Sequence, residues 1–320
     1  MARKRGFENT VSIVIAVTLE NFLMHLRYLP KKGAIVEVNK SKMLLFPKKG
    51  GIDRDLFLHK KREILCTDHL IGDGIVKEGD VILDIGANIG YYVLIESQLV
   101  GANGKVYAVE PVRGNVEVLK KNVRLNNLKN VSTFQLAFGE CDEESTIYVS
   151  NLANLCSMNK NFTGGKIMGT QSISKETVDT FLKNRPQPSL VRMDVEGYEY
   201  EIFIGMLQLL RGDLSILVEL HPQFLSEKLN EIFQILKQNN FCVRFAVFEA
   251  KVKENKIVNA LLQKGGVSLP TFVVTNVSLQ ELQNLMKDHP NLSPNVLFEK
   301  QSCQQQTSGE TVAVQVEEVG

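Results

Sequence analysis

An acid, an asparagine and two glycines stand where an apolar run gives out, in Val81-Ile82-Leu83-Asp84-Ile85-Gly86-Ala87-Asn88-Ile89-Gly90. A strand that ends in such a loop and feeds a helix brings backbone close to a ligand, because glycine has no Cβ to hold it away. The commonest rival, the dinucleotide fingerprint Gly-x-Gly-x-x-Gly, seats pyrophosphate on a helix N-terminus. Here three residues separate the glycines, and Asp84 just upstream would repel pyrophosphate while favouring a cationic or hydroxyl-rich ligand. A second apolar run, Val106-Tyr107-Ala108-Val109, stops at Glu110-Pro111. If the two strands are parallel neighbours, the Glu110 carboxylate lies beside the first loop and suits a ribose diol. Asn88 offers both a donor and an acceptor. S-adenosylmethionine fits this chemistry: it carries an ammonium, a sulfonium and a ribose diol, and its carboxylate can use N–H groups at the start of the following helix. The cofactor-binding candidates are therefore Asp84, Gly86, Ala87, Asn88, Gly90 and Glu110. The bland alternatives are a sharp strand-to-helix turn for the glycines and a helix cap for Glu110.

Two further strand ends gather titratable groups. In Leu190-Val191-Arg192-Met193-Asp194-Val195-Glu196-Gly197, strand alternation places Arg192, Asp194 and Glu196 on one side. Carboxylates crowded at the carboxyl edge of a parallel sheet cost desolvation and repulsion, which functional sites tolerate more often than structural ones. Leu217-Val218-Glu219-Leu220-His221-Pro222 presents an acid and a histidine on one side by the same period. An imidazole titrates near neutrality and is the natural group to take a proton from a hydroxyl as it becomes a nucleophile. His221, Asp194, Glu196 and Glu219 are the catalytic candidates. A surface Arg192–Asp194 pair, a helix-start Glu196 and a buried, hydrogen-bonded His221 are the structural alternatives.

Positioning these groups requires parallel strands joined by helices. Strands are read at 81–85, 105–109, 131–137, 189–195 and 214–219, and helical stretches at 90–100, 113–126, 175–183, 198–210 and 226–239. Such alternation with short links predicts an α/β fold with a doubly wound, mostly parallel sheet. Strands at 242–248 and 271–274, with no long helix between them, predict an antiparallel terminal hairpin. A hairpin at 34–46, irregular or helical structure at 55–71 and a packed helix at 10–28 precede the sheet. The chain divides into a basic leader (1–76), a main domain (77–277), a helix and loop (278–299) and a polar, glutamine-rich flexible tail (300–320).

With 44% hydrophobic and 23% charged residues, 320 residues can build one large core. Five cysteines without a Cys-x-x-Cys pair argue against a zinc site or disulfide framework and point to a reducing, cytoplasmic compartment. The net charge is +1, yet residues 1–63 hold 14 basic against 6 acidic side chains. Such an arm can meet anionic lipid, nucleic acid or phosphorylated substrate. Its clusters Lys31-Lys32, Lys48-Lys49 and Lys60-Lys61-Arg62 lack aromatics for base stacking, so no specific nucleic acid is expected and peripheral membrane contact is the weaker alternative. The apolar run before Glu20 is well short of the ~20 residues a spanning helix needs.

Taken together, Ile82-Leu83-Asp84-Ile85-Gly86-Ala87-Asn88-Ile89-Gly90, Ala108-Val109-Glu110-Pro111, Arg192-Met193-Asp194-Val195-Glu196-Gly197-Tyr198-Glu199 and Val218-Glu219-Leu220-His221-Pro222 resemble, in order and spacing, the FkbM-type S-adenosylmethionine-dependent methyltransferases. The resemblance covers about residues 77–250. It implies a seven-stranded, Rossmann-like methyltransferase sheet, the cofactor over residues 84–90 and Glu110, and methyl transfer to an oxygen of a sugar, glycolipid, polyketide or similar small metabolite. In that setting His221 would remove the acceptor proton and Asp194 would orient the acceptor or the cofactor's ammonium. Glu196 and Glu219 would bind acceptor hydroxyls or a divalent cation, although nothing in the spacing demands a metal. Two departures stand out: a lysine commonly occupies the position of Arg192, and residues 138–150 fit only loosely, leaving the adenine contacts undefined. The rival readings are a nicotinamide-dependent oxidoreductase, a non-catalytic cofactor-binding protein and a nucleic-acid methylase. The glycine spacing speaks against the first. Asp194-Val195-Glu196-Gly197, standing where base-amino methylases often carry Asn/Asp-Pro-Pro-aromatic, speaks against the last.

Overall fold

The computed structural model describes residues 29–30, 32–151, 156–158, 166–249, 271–301 and 313–315. The leader helix expected at 10–28 lies outside them. The leader's hairpin forms, with β1 (Ala34–Val38) and β2 (Ser41–Leu45) paired antiparallel. Asn39 and Lys40, at φ 47° and 63°, supply the two left-handed positions of a tight turn that matches strand twist. Helices α1 (Gly51–His59) and α2 (Ile64–Gly72) lead to the main sheet.

There the alternation expected from the sequence appears: β3 (Val81–Ile85), α3 (Tyr91–Val100), β4 (Lys105–Val109), α4 (Arg113–Leu125) and β5 (Val131–Phe134). A side sheet interrupts it, built from β6 (Ala137–Phe138), β7 (Glu143–Ser150) and β8 (Ile167–Glu176), with β8 in the middle. The main sheet resumes with α5 (Val178–Leu182), β9 (Leu190–Met193), α6 (Glu199–Ile204), β10 (Ser215–Glu219), α7 (Pro222–Leu225), α8 (Lys228–Gln238) and β11 (Phe241–Glu249). It is completed by β12 (Thr271–Thr275), α9 (Leu279–Asp288), β13 (Asn295–Lys300) and β14 (Ala313–Gln315).

The strand order is β14-β12-β11-β13-β10-β9-β3-β4-β5. The pairs from β10 through β9, β3 and β4 to β5 are parallel, and β11 runs the same way because it is antiparallel to β13, which is antiparallel to β10. The doubly wound α/β expectation holds, and β11 and β12 pair antiparallel as read. Among the described residues the sheet has nine strands rather than seven, since β12 and β14 extend one edge. Strand β13 falls where a helix and loop were expected. Its apolar run, Val296-Leu297-Phe298, is too short to show a period, and only its two neighbours reveal it as a fully buried strand. Residues Ala313–Gln315, within the stretch read as a flexible tail, pair with β12, whose open edge offers unsatisfied backbone groups. The expected helix at 175–183 starts later, because β8 runs to Glu176.

Alternation along the strands divides the interior into two cores, with Leu83, Ile85, Val191 and Met193 on one face and Ile82 and Leu190 on the other. The chain leaves β3 toward β4 and β5, then returns to place β9 on β3's other flank. Loops after β3 and β9 therefore diverge and open a crevice at the sheet's carboxyl edge, the usual ligand position in open α/β sheets. Among the described residues no helix is long and apolar enough to cross a membrane.

Candidate active site

The loop after β3 is fixed by backbone before any side chain matters. Gly86 and Ala87 both donate N–H to the Val109 carbonyl, at 2.9 and 3.0 Å, and the Asp194 N–H donates to the Ile85 carbonyl at 3.0 Å. Gly86 sits at φ +83°, and a Cβ there would lie 1.9 Å from the Asp194 carbonyl oxygen. Only glycine lets the ends of β3 and β9 approach so closely. Asn88, left-handed at φ 49°, turns its N–H onto Glu110 Oε2 at 2.9 Å. Glu110 Oε1 accepts from the Val112 N–H at 2.9 Å and from Asn115 Nδ2 at 3.1 Å. Burial outweighs these bonds and pushes the Glu110 carboxyl up to about 7. One lone pair of Oε2 remains for a ligand hydroxyl.

Two cavities open along this edge. The first, of about 660 Å³ counted with its open mouth, is lined by Gly86, Asn88 and Glu110 and by the apolar side chains of Pro111, Leu136 and Phe138. Cys156, Ser157 and Met158 border it from the connection between β7 and β8, where Ser157 donates Oγ–H to the Glu196 carbonyl at 3.1 Å. The second cavity, of about 500 Å³ counted with its open mouth, is more polar and is bounded by Arg62, Glu63, Tyr92, Arg192 and Glu219. Gly86, Asn88, Asp194 and Glu196 line both.

Parallel register sets Asp84 opposite Arg192, and Arg192 Nη1 donates to Asp84 Oδ1 at 3.0 Å. Arg192 also reaches Asp194 Oδ2 at 3.4 Å from Nη2, and its guanidinium lies 3.8 Å from the Tyr92 ring centroid. Burial raises the Asp84 carboxyl, with Arg192 opposing. Beyond it, Glu96 is wholly buried with neither carboxylate oxygen hydrogen-bonded, and burial followed by the Asp84 charge lifts its pKa far above the usual carboxylate range.

His221, 3% exposed, anchors the other cluster. Its Nδ1 is 2.6 Å from Glu199 Oε1, which also accepts the Gly197 N–H at 3.0 Å. Its Nε2 faces Glu196 Oε2 at 3.4 Å and Glu219 Oε1 at 3.6 Å. Burial opposes the imidazolium, but Glu199, Glu219 and Glu196 prevail and raise its pKa well above the usual histidine value. Burial lifts Glu196 to about 7, with His221 opposing, and lifts Glu219 well above the usual carboxylate range, with Asp194 adding to it. Asp194, Glu219 and His221 bring three potential ligand atoms within 4.8 Å of one another, a spacing a cation could bridge.

The structure thus gathers Gly86, Asn88, Glu110, Asp194 and Glu196 on the wall of the first cavity. Ala87 and Glu219 line only the second. Asp84 lies beneath the loop on Arg192, wholly buried, so it supports the cavity floor instead of facing a ligand. Gly90 lines neither cavity; a Cβ there would meet Leu119 Cδ1 at 2.6 Å, so its smallness serves the packing of α3 against α4. The sequence reading missed Glu199, although it ends the quoted Asp-Val-Glu-Gly-Tyr-Glu element, and missed Glu63, Tyr92 and Asn115, which carried no local signal.

Residues 84–243 match the family model of the methyltransferase FkbM domain, half of the chain. The chain belongs to the FkbM methyltransferase family. Hexuronic acid methyltransferase AglP of Haloferax volcanii is 26% identical over 151 residues, 45% of this chain and 57% of that protein. The chain therefore spans less than two thirds of this relative. Among solved structures, methyltransferase FkbM of Methylobacillus flagellatus is 12% identical, with a TM-score of 0.36 over 69% of this chain and 43% of that one. The M. jannaschii TYW2 structure in complex with AdoMet is 12% identical, with a TM-score of 0.41 over 86% of this chain and 90% of that one.

The cofactor of this FkbM domain is S-adenosylmethionine, and the residues present fit it. Asn88 Oδ1 is buried without a hydrogen-bond partner, Glu110 keeps a free lone pair, and the missing Cβ of Gly86 preserves the backbone approach. Leu136, Phe138 and Pro111 supply apolar surface suited to a base.

Proposed function

We propose that this protein transfers a methyl group from S-adenosylmethionine to a hydroxyl oxygen of a sugar, glycolipid or similar small metabolite. The observation that carries the reading is the pair of cavities with a common wall at Gly86, Asn88, Asp194 and Glu196. A donor in one and an acceptor in the other meet across that wall, and holding reactants in line supplies much of the rate advantage in such a displacement. S-adenosylmethionine supplies the electrophilic methyl. Glu110 and Asn88 hold the nucleoside end, and Asp194 orients the reacting end with Arg192 keeping its carboxylate in place.

The sequence assigns the base role to His221, but His221 lines neither cavity and Glu199, with Glu219 and Glu196, raises its pKa well above the usual histidine value. The proton goes instead to the coupled Glu196–His221–Glu219 cluster, entering through Glu196, which faces both cavities and titrates at about 7. His221 keeps the cluster's charge in balance, and Glu199 fixes its ring. The hexuronic acid named for AglP, a sugar acceptor, supports the glycan class here.

Isothermal titration of the full chain with S-adenosylhomocysteine and, separately, with NADH tests the cofactor. Binding of the first, weakened at least tenfold in Glu110→Ala, is expected; binding of NADH alone would overturn the proposal.

A further inference from the structure

Three residues that are not glycine hold left-handed backbone on the wall of the second cavity: Asn88 at φ 49°, Glu196 at φ 53° and Glu63 at φ 47°. Such strain costs of order 1 kcal/mol or more at each residue and concentrates at functional sites. Two of the three belong to the cofactor edge already described. Glu63 comes from the leader, between α1 and α2, and is the one whose place there needs a reason of its own.

Glu63 is nearly buried, its side chain 7% exposed, yet it stays ionised. Burial opposes this, but Arg62 and Arg192 hold its pKa below the usual value. Oε1 accepts from Arg62 Nε at 2.7 Å and Oε2 from the Tyr92 hydroxyl at 2.7 Å. Each oxygen therefore keeps a second lone pair, and the carboxylate cannot swing away. Asp194, Glu196 and Glu219 share the wall with Glu63, against Arg62, Arg192 and the imidazolium of His221 behind Glu196 and Glu219. Both arginines are already shared with acids behind the wall, Arg62 with Asp55 at 3.6 Å and Arg192 with Asp84 at 3.0 Å. A negative acceptor would meet the ionised Glu63 and find no guanidinium that is not already paired with an acid. A hydroxyl-rich acceptor would find fixed hydrogen-bond acceptors along the cavity lining.

We propose that the second cavity is the acceptor site, that Glu63 of the leader is a specificity-determining residue binding an acceptor hydroxyl, and that the site takes polyhydroxylated acceptors without negative charge. This rests on the methyltransferase reading above and narrows it. It also separates this chain from a relative named for a hexuronic acid, which carries a carboxylate. The leader, the segment of the chain that precedes the cofactor sheet, becomes the part that chooses the substrate.

The test uses the full chain, S-adenosylmethionine labelled in its methyl group, and a glycan and glycolipid extract divided by ion exchange into neutral, cationic and anionic pools. Label is expected in the neutral or cationic pool. With the labelled acceptor purified, Glu63→Gln should raise its KM about tenfold or more, leaving kcat and S-adenosylhomocysteine affinity within twofold. If the Gln variant does not fold, Glu63→Asp, which keeps the charge but draws it back by one methylene, should show the KM rise alone. Label in the anionic pool, an unchanged KM in the folded variant, or labelling abolished by EDTA and restored by Mg²⁺ would overturn the proposal, the last by giving the wall acids to a metal. Failure to bind S-adenosylhomocysteine or to label any pool would instead sink the methyltransferase reading on which it rests.

Discussion

Replacing Gly86 with alanine should unmake the crevice while leaving the sheet recognisable. The new Cβ would stand 1.9 Å from the Asp194 carbonyl oxygen, where ordinary contact begins near 3.4 Å, so the ends of β3 and β9 must part by about 1.5 Å. The φ of +83° adds left-handed strain of about 1–2 kcal/mol for a residue with a side chain. Overpacking at a backbone carbonyl adds about 1–3 kcal/mol, giving a total near 2–5 kcal/mol. Because Asp194 lines both cavities, the displacement should also weaken S-adenosylhomocysteine binding at least tenfold. Urea denaturation and isothermal titration read the two effects. Gly114→Ala is the control: it lies in α4 with nothing within 4 Å of its would-be Cβ, so it should gain up to about 1 kcal/mol and leave binding alone. A Gly86→Ala protein with wild-type stability and affinity would refute the idea that these two strand ends are held together by the absence of one methyl.

Glu110 should give a pH signature. Its carboxyl rises from 4.5 unfolded to about 7 folded, so the stability it contributes is fully present below pH 4.5 and is lost as pH climbs through 7. That amounts to about 3 kcal/mol at 1.36 kcal/mol per pKa unit, and Glu110→Gln should flatten the slope in urea melts between pH 5 and 8. Glu199→Gln leaves His221 without its Nδ1 anion; the loss should be about 3–5 kcal/mol of stability, with the His221 ring titrating lower by NMR. Arg192→Lys retains one charge but cannot span Asp84 and Asp194 while stacked on Tyr92, so thermal melting should show a loss of about 1–3 kcal/mol and titration a weaker cofactor.

Much of the fold was legible because buried parallel strands announce themselves. Val81–Ile85 and Lys105–Val109 are nearly continuous apolar runs closed by Asp-x-Gly and Glu-Pro, and their shared edge follows from alternation with helices. Strand β13 escaped because its position depends on β10 and β11 and not on its own pattern. In the site, Gly86, Asn88 and Glu110 could be named from local chemistry. Asp84 could not be assigned to the floor, since its partner Arg192 is 108 residues away and only the register brings them together. Gly90 has the same loop spacing as Gly86 but answers to Leu119, a packing demand invisible in the motif. The protonation state of His221 likewise depends on Glu199 entering from α6 across 22 residues, and Glu63 reaches the site from the leader, where the sequence shows only a basic cluster ending in an acid.

The most direct measurement is a crystal structure of the full chain grown with S-adenosylhomocysteine. Density for the nucleoside should fill the cavity between Gly86, Glu110 and Phe138, with a ribose hydroxyl within hydrogen-bond distance of Glu110 Oε2. Density placed anywhere else, or that cavity closed by the protein's own side chains while the ligand is bound, would contradict the assignment of this sheet edge as the methyl-donor site.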